Sequence, residues 1–263
     1  AQSPAGDRRL VLADWMTSSD NPWFARNVAN RTWAHFMGRG IVEPVDDVRL
    51  TNPPTNSALL DALAQHFVET GFDYRQLVKT ILMSATYQRS SDVNSTNQRD
   101  EQNYSRYLFK QLEAEVMLDA ISQVTGRPEK FEGVPSGSRA IELWDSSVPN
   151  YFLKVFGRPV RATACECERV SEPTISQVLH VLNSPAIQKK LNHQNGRIRA
   201  IAAEFADNKK AVEEIYLTCF ARYPGKDELA AAVQYLEQAD DRQIGLEDVA
   251  WSVMNSLEFL FNH

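Results

Sequence analysis

Apolar residues recur at intervals of three and four along almost the whole chain, and the long alternating runs that mark strands are missing. The pattern therefore predicts an all-α protein. A short first helix over Arg8 to Met16 precedes a second with clear ends. Asn21 caps it, Pro22 suits its first turn because a proline there has no hydrogen bond to lose, and Gly38 and Gly40 stop it. Within it Asn27, Arg31 and His35 recur every fourth residue and share one face, beside Phe24, Val28, Trp33 and Phe36. That face is expected to be partly buried, with polar groups that require partners.

Pro53 and Pro54 forbid helix in the polar stretch from Val45 to Asn56. Ser57 to Thr70 then carries Leu59, Leu60, Leu63, Phe67 and Val68 as one stripe and ends at Gly71. Asp73, with Gln76 three residues on, caps a further helix that buries Leu77, Val78, Ile81 and Leu82. Gln88 to Asn103 reads as a surface connection, and a long helix is predicted from Tyr104 to Val124, ended by Gly126 and Pro128. Residues 127–170 read as irregular, with a short strand at Ala140 to Leu143 and a helix-like stretch at Tyr151 to Phe156. Helices resume at Pro173, with starts at Ser184-Pro185 and Asp207 and a turn at Tyr223 to Lys226. The expected architecture is an irregular multi-helix bundle in two packed lobes, 1–126 and 171–263, on either side of the loop-rich segment 127–170. A single domain is compatible with this division.

Composition narrows the partners more than the fold. A chain of 263 residues that is 43% hydrophobic and 24% charged is globular in character, and no apolar run is long enough to cross a bilayer. Its net charge of -6 argues against broad binding to a phosphate backbone, so nucleic acid is not an expected partner. The N-terminal residues lack the layout of a signal peptide, so any export signal would lie outside this chain.

Candidate chemistry is sparse. Glu115 and Asp119, one turn apart, can serve as general acid and base, but pairing with Arg31 or another buried arginine as a structural clasp outweighs catalysis, because buried charges usually occur in pairs. His35, between Arg31 and Arg39, reads as a hydrogen-bonded histidine ahead of a general base. Cys165 and Cys167 are open to three readings: packed thiols, a strained local disulfide, or part of a zinc site that His180, His193 and Cys219 would complete. Packed thiols lead, and no metal is expected. No C-x-x-C-H occurs, so this chain carries no c-type haem by the usual motif, and the common nucleotide, zinc-protease and hydrolase signatures are absent. Trp15, Trp23, Trp33 and Trp251 read as core, whereas Trp144, in the irregular region near Tyr151, suits a cleft rim able to stack a sugar.

The run LADWMTSSDNPWFARNVANRTWAHFMGRGIVEP, followed by LLDALAQHFVETGFDYRQLVKTILMSATYQRSS, LEAEVMLDAI and CECERVSEPTISQVLHVLNSP, resembles the planctomycete cytochrome-c-associated C-terminal domain family, whose function is unknown. Its N-x-x-N-R-x-W run falls on Asn27, Asn30, Arg31 and Trp33, its Gly-Arg-Gly on Gly38, Arg39 and Gly40, and its A-E-x-x-x-D-A on Ala114, Glu115, Asp119 and Ala120. Where relatives place an arginine before that aspartate, this chain has Leu118, which weakens any anion site built there. The resemblance implies the C-terminal domain of a longer exported, extracytoplasmic protein with haem c in another region, and a redox-linked or polymer-degrading setting. It implies binding roles for Asn27, Arg31 and Arg39 no more sharply than the residues do. The expected function is an interaction or scaffold module that holds other domains of the same polypeptide. A glycan-active enzyme or polysaccharide-binding domain using Glu115, Asp119, Trp144 and Tyr151, and a metal or redox site at Cys165 and Cys167, are the alternatives.

Overall fold

The computed structural model describes residues 7–144, 146–159 and 184–262. Helices dominate these residues, with only two two-residue strands beside them, Lys110–Gln111 (β1) and Phe261–Asn262 (β2), so the fold is all-α. The chain forms two compact units that divide between Lys110 and Gln111.

The first unit contains α1 (Arg8–Met16), α2 (Pro22–Met37), α3 (Ser57–Glu69) and α4 (Tyr74–Leu82). Their starts follow the sequence signals. The Asn21 side chain accepts from the N–H groups of Trp23 and Phe24, Asn56 from Leu59, and Asp73 from Arg75 and Gln76. Gly38 closes α2 in the left-handed region, with φ 77°. On α2 the buried row is Ala25, Ala29, Trp33 and Met37, each four residues apart. Asn27, Arg31 and His35 are offset from that row by two positions, about 200° around the axis, so they occupy the side turned away from the core. Asn27 and Arg31 are half-buried and His35 is exposed. Leu60, Leu63 and Phe67 of α3 and Leu77 and Ile81 of α4 complete the core. Phe72, at φ 61°, holds its ring edge-on to Phe24 and Phe67.

One buried amide organises the loop after α2. Asn30 is 1% exposed; its Nδ2 donates to the carbonyls of Val42 at 3.0 Å and Val45 at 3.3 Å, while its Oδ1 accepts from the Val42 N–H at 2.9 Å. Ile41 and Val42 are thereby turned into the core, and Thr55 ties the loop from its other side by donating to the Ile41 carbonyl. Gly40 is required here, because a Cβ would stand 2.3 Å from the Val42 carbonyl oxygen. Two tyrosines extend the network: Tyr104 donates to the Gly40 carbonyl at 2.9 Å and Tyr107 to the Phe36 carbonyl at 2.7 Å. Burial pushes the Tyr107 phenol up to about 12, so it remains a donor.

This network corrects the expected helix from Tyr104 to Val124. Residues 104–113 are not helical; Tyr104 has φ 54°, and helix α5 (Ala114–Thr125) begins only after Glu113. The segment gives its two tyrosines to the first core, and that path is incompatible with helical continuity.

The second unit contains α5, then α6 (Tyr151–Val155), α7 (Pro185–Leu191), α8 (Arg197–Glu204), α9 (Asn208–Phe220), α10 (Lys226–Gln238), α11 (Arg242–Met254) and the short α12 (Leu257–Leu260). Met117, Leu118 and Ile121 of α5 share a core with Leu191, Ile198, Ile215 and Leu246. The strand expected at Ala140 to Leu143 is instead a 3₁₀ turn, Ala140–Glu142, because Asp119 accepts from the N–H groups of Ala140 at 2.6 Å and Ile141 at 3.1 Å. A carboxylate at that position fixes a helical start. Arg242 joins α8, α9 and α11 by donating to the carbonyls of Ala202 and Phe205 and to Asn208 Oδ1. Helices α10 and α11 approach closely at Gly245, where a Cβ would lie 2.9 Å from Leu236 Cδ2. Arg222, beyond α9, forms paired hydrogen bonds with both Glu228 and Glu258, and its guanidinium lies 5.5 Å from the ring centre of Tyr216.

Two outcomes follow. Asn30→Ala leaves a buried N–H and carbonyl of Val42 without partners, and should destabilise the first unit by about 3 kcal/mol; a urea midpoint within error of the parent would contradict this. The Arg222 guanidinium and the Gly225 N–H hold the Glu228 carboxyl at about 2, below its ordinary 4.5. The ionised form is therefore favoured in the native state, and its stabilisation is full above about pH 4.5 and fades as pH falls toward 2. Glu228→Gln should lower stability at neutral pH and remove that part of the acid dependence, as read from thermal melts between pH 2 and 7.

Candidate functional site

Several of the residues singled out by the sequence have structural partners. Arg31 forms an ion pair with Asp46, within its own unit. Asn27 keeps its Oδ1 enclosed without a hydrogen bond among the described residues. The His35 ring meets Phe36 edge-on at 4.9 Å, and its carbonyl accepts from Lys110 Nζ. Arg39 is half-buried with its Nε enclosed, and its positive charge opposes the upward push that burial gives the Tyr104 phenol. The residue of this segment that does most for the fold is Asn30, which the sequence offers only as one letter of N-x-x-N-R-x-W.

The carboxylate pair on α5 is divided between two tasks. Glu115 is buried and faces Arg158 at 3.6 Å, both side chains being less than a tenth exposed. Asp119 spends its oxygens on the 3₁₀ turn. Sequence spacing could not supply Arg158, which stands some forty residues away, nor the backbone donors of Ala140 and Ile141. A buried pair of this kind must be complete to be tolerated, because either partner alone would be an uncompensated charge.

Trp144 and Tyr151 are 68% and 70% exposed. Of the other tryptophans, Trp33 is buried as the core reading expects, whereas Trp15 and Trp23 are exposed and Trp251 is half-buried. At the start of a helix, as for Trp23, or on a helix with no buried side, as for Trp15, helical spacing does not imply a core face. Cys165, Cys167 and His180 lie outside the described residues. Cys219 packs against the second core, and loss of solvation pushes its thiol up to about 12, so it is protonated and unreactive at neutral pH. Among the described residues no group of three His, Cys, Asp or Glu side chains is placed to hold a metal, and no helix is long and apolar enough to cross a membrane.

A concave feature with mixed chemistry lies in the second unit, between α9, α10 and α11. It is a half-open groove of about 480 Å³. Glu228, Ala231, Ala232 and Tyr235 line it from α10, at spacings of three, four and seven residues that form one helix face. Asp248, Trp251 and Ser252 line it from α11 in the same manner, and Tyr216 contributes from α9. The Tyr235 hydroxyl donates to Asp248 Oδ2 at 2.7 Å, and this bond holds the Tyr235 phenol above its ordinary value. Such a site offers aromatic side chains, an apolar lining that includes the buried Val249 and Val253, and fixed negative charge. Sequence reasoning missed it, because each row alone looks like the polar side of an amphipathic helix.

No curated protein and no solved structure matches this chain. A family described as a protein of unknown function, DUF1553 (PSD1), matches residues 8–236, from the first turn of α1 into the last turns of α10. The matched span thus includes the Asn30 clasp and the Glu115 pair and stops before the α11 wall of the groove, and because it covers most of the sequence, the chain belongs to the DUF1553 (PSD1) family.

Proposed function

We propose that this domain is a non-catalytic interaction module of a larger exported, cytochrome-c-associated polypeptide, and that α1 is the element that docks on a neighbouring domain. The observation that carries the proposal is the exposure of α1. It has no buried residue, and Leu10, Val11, Leu12, Trp15 and Met16 are between 41% and 65% exposed. A nine-residue helix is marginal in water, and an uncovered apolar cluster of this kind marks a contact surface. The helix is nonetheless anchored locally: Asp7 caps it and Asn21 Nδ2 donates to the Trp15 carbonyl.

Supporting this reading, the two carboxylates nominated for acid–base work have other tasks, since Glu115 is covered by Arg158 and Asp119 fixes a turn. A general acid needs contact with substrate, which a side chain that is 7% exposed does not offer. The occupant of α1 is proposed to be another domain of the same polypeptide, by the family resemblance, and any haem c would belong to that region.

Hydrogen–deuterium exchange on the isolated chain and on the complete polypeptide tests the proposal. Residues 8–16 should exchange freely in the first and at least about tenfold more slowly in the second. Equal exchange in both would overturn it.

A further inference from the structure

The groove between α9, α10 and α11 is a separate matter from α1, and its charge decides what it suits. Glu228 stands at one end with its oxygens committed to Arg222 and to the Gly225 N–H. Arg222 is shared with Glu258, so two carboxylates face one guanidinium there. At the other end Asp248 accepts only from the Tyr235 hydroxyl and has no cationic partner among the described residues. Around the groove three carboxylates therefore stand against one fixed cation, and one of the three is free of any counter-charge.

The walls add a second preference. Trp251 lies three residues after Asp248 on the same face of α11, and Tyr235 is held against Asp248 by its hydroxyl. Aromatic faces beside an uncompensated carboxylate form an environment that attracts an organic cation, with tryptophan the strongest of the aromatic partners. Ala231 and Ala232 line the groove beside the buried Val249 and Val253, an apolar lining that suits a hydrocarbon body, and the volume of about 480 Å³ lies in the range of small-molecule sites.

We propose that this groove binds a small organic cation, an ammonium carried on an apolar or aromatic body, with Asp248 as its counter-ion and Trp251 and Tyr235 as its walls. The family span ends before α11, so the site depends on the part of the chain that completes this unit beyond it.

The test uses the whole chain and three probes of one shape: 2-phenylethylammonium, 2-phenylethanol and 3-phenylpropionate. Calorimetric titration should show saturable binding of the ammonium at one site, binding of the alcohol weaker by about tenfold or more, and none of the carboxylate. Asp248→Asn, which retains an acceptor for Tyr235, should weaken the ammonium about tenfold and leave the alcohol unchanged. Equal binding of ammonium and alcohol by the native chain, no saturable ammonium binding, or an Asp248→Asn variant with native affinity would each overturn the proposal. The comparison among probes on the native chain stands even if the variant does not fold.

Discussion

The side-chain amide of Asn30 is the constraint on which the first unit depends. It sits among Ala29, Trp33 and Met37, where an amide without partners would be costly, and it meets that cost by binding the backbone of Val42 in both directions. The loop then has one available path. Ile41 and Val42 enter the core, Gly40 passes too close to the Val42 carbonyl for any side chain, and the Gly40 and Phe36 carbonyls are left facing Tyr104 and Tyr107. The adjacent Asn27, Arg31 and His35 row, prominent in the sequence, lies on the other side of the helix and has the lesser role.

The second unit is organised by arginines instead. Arg222 gathers Glu228 and Glu258 and rests near Tyr216 and Phe220; Arg242 satisfies the C-terminal carbonyls of α8; Arg158 covers Glu115. Arg222 and Arg242 are planar donor sets that each serve several acceptors at once. The packing of α10 on α11 at Gly245, together with these ties, leaves the aromatic and acidic groove open on one side. Asp248, not drawn into any of these sets, keeps its charge available.

Local signals carried much of the architecture. The bounds of α2 were readable from Asn21, Pro22 and Gly38, and the start of α4 from Asp73, because caps and stops act over a few residues. What failed were readings that depended on distant partners. Tyr104 to Glu113 has helical periodicity, yet its tyrosines are claimed by carbonyls more than sixty residues earlier in the chain. The 3₁₀ turn at Ala140 exists because Asp119 reaches it, and Arg158 could not be matched to Glu115 by spacing. The groove was illegible for the same reason: Tyr235 and Asp248 come from different helices and acquire meaning only when those helices pack.

The exchange rate of the Val42 amide tests the central claim most directly. Its N–H is bound by a side chain and not by a regular helix or sheet, so its protection reports the Asn30 clasp alone. The account predicts that it exchanges only with unfolding of the first unit, as slowly as the amides of Trp33 and Met37 in the buried row of α2. Exchange at the rate of an open loop amide would contradict it.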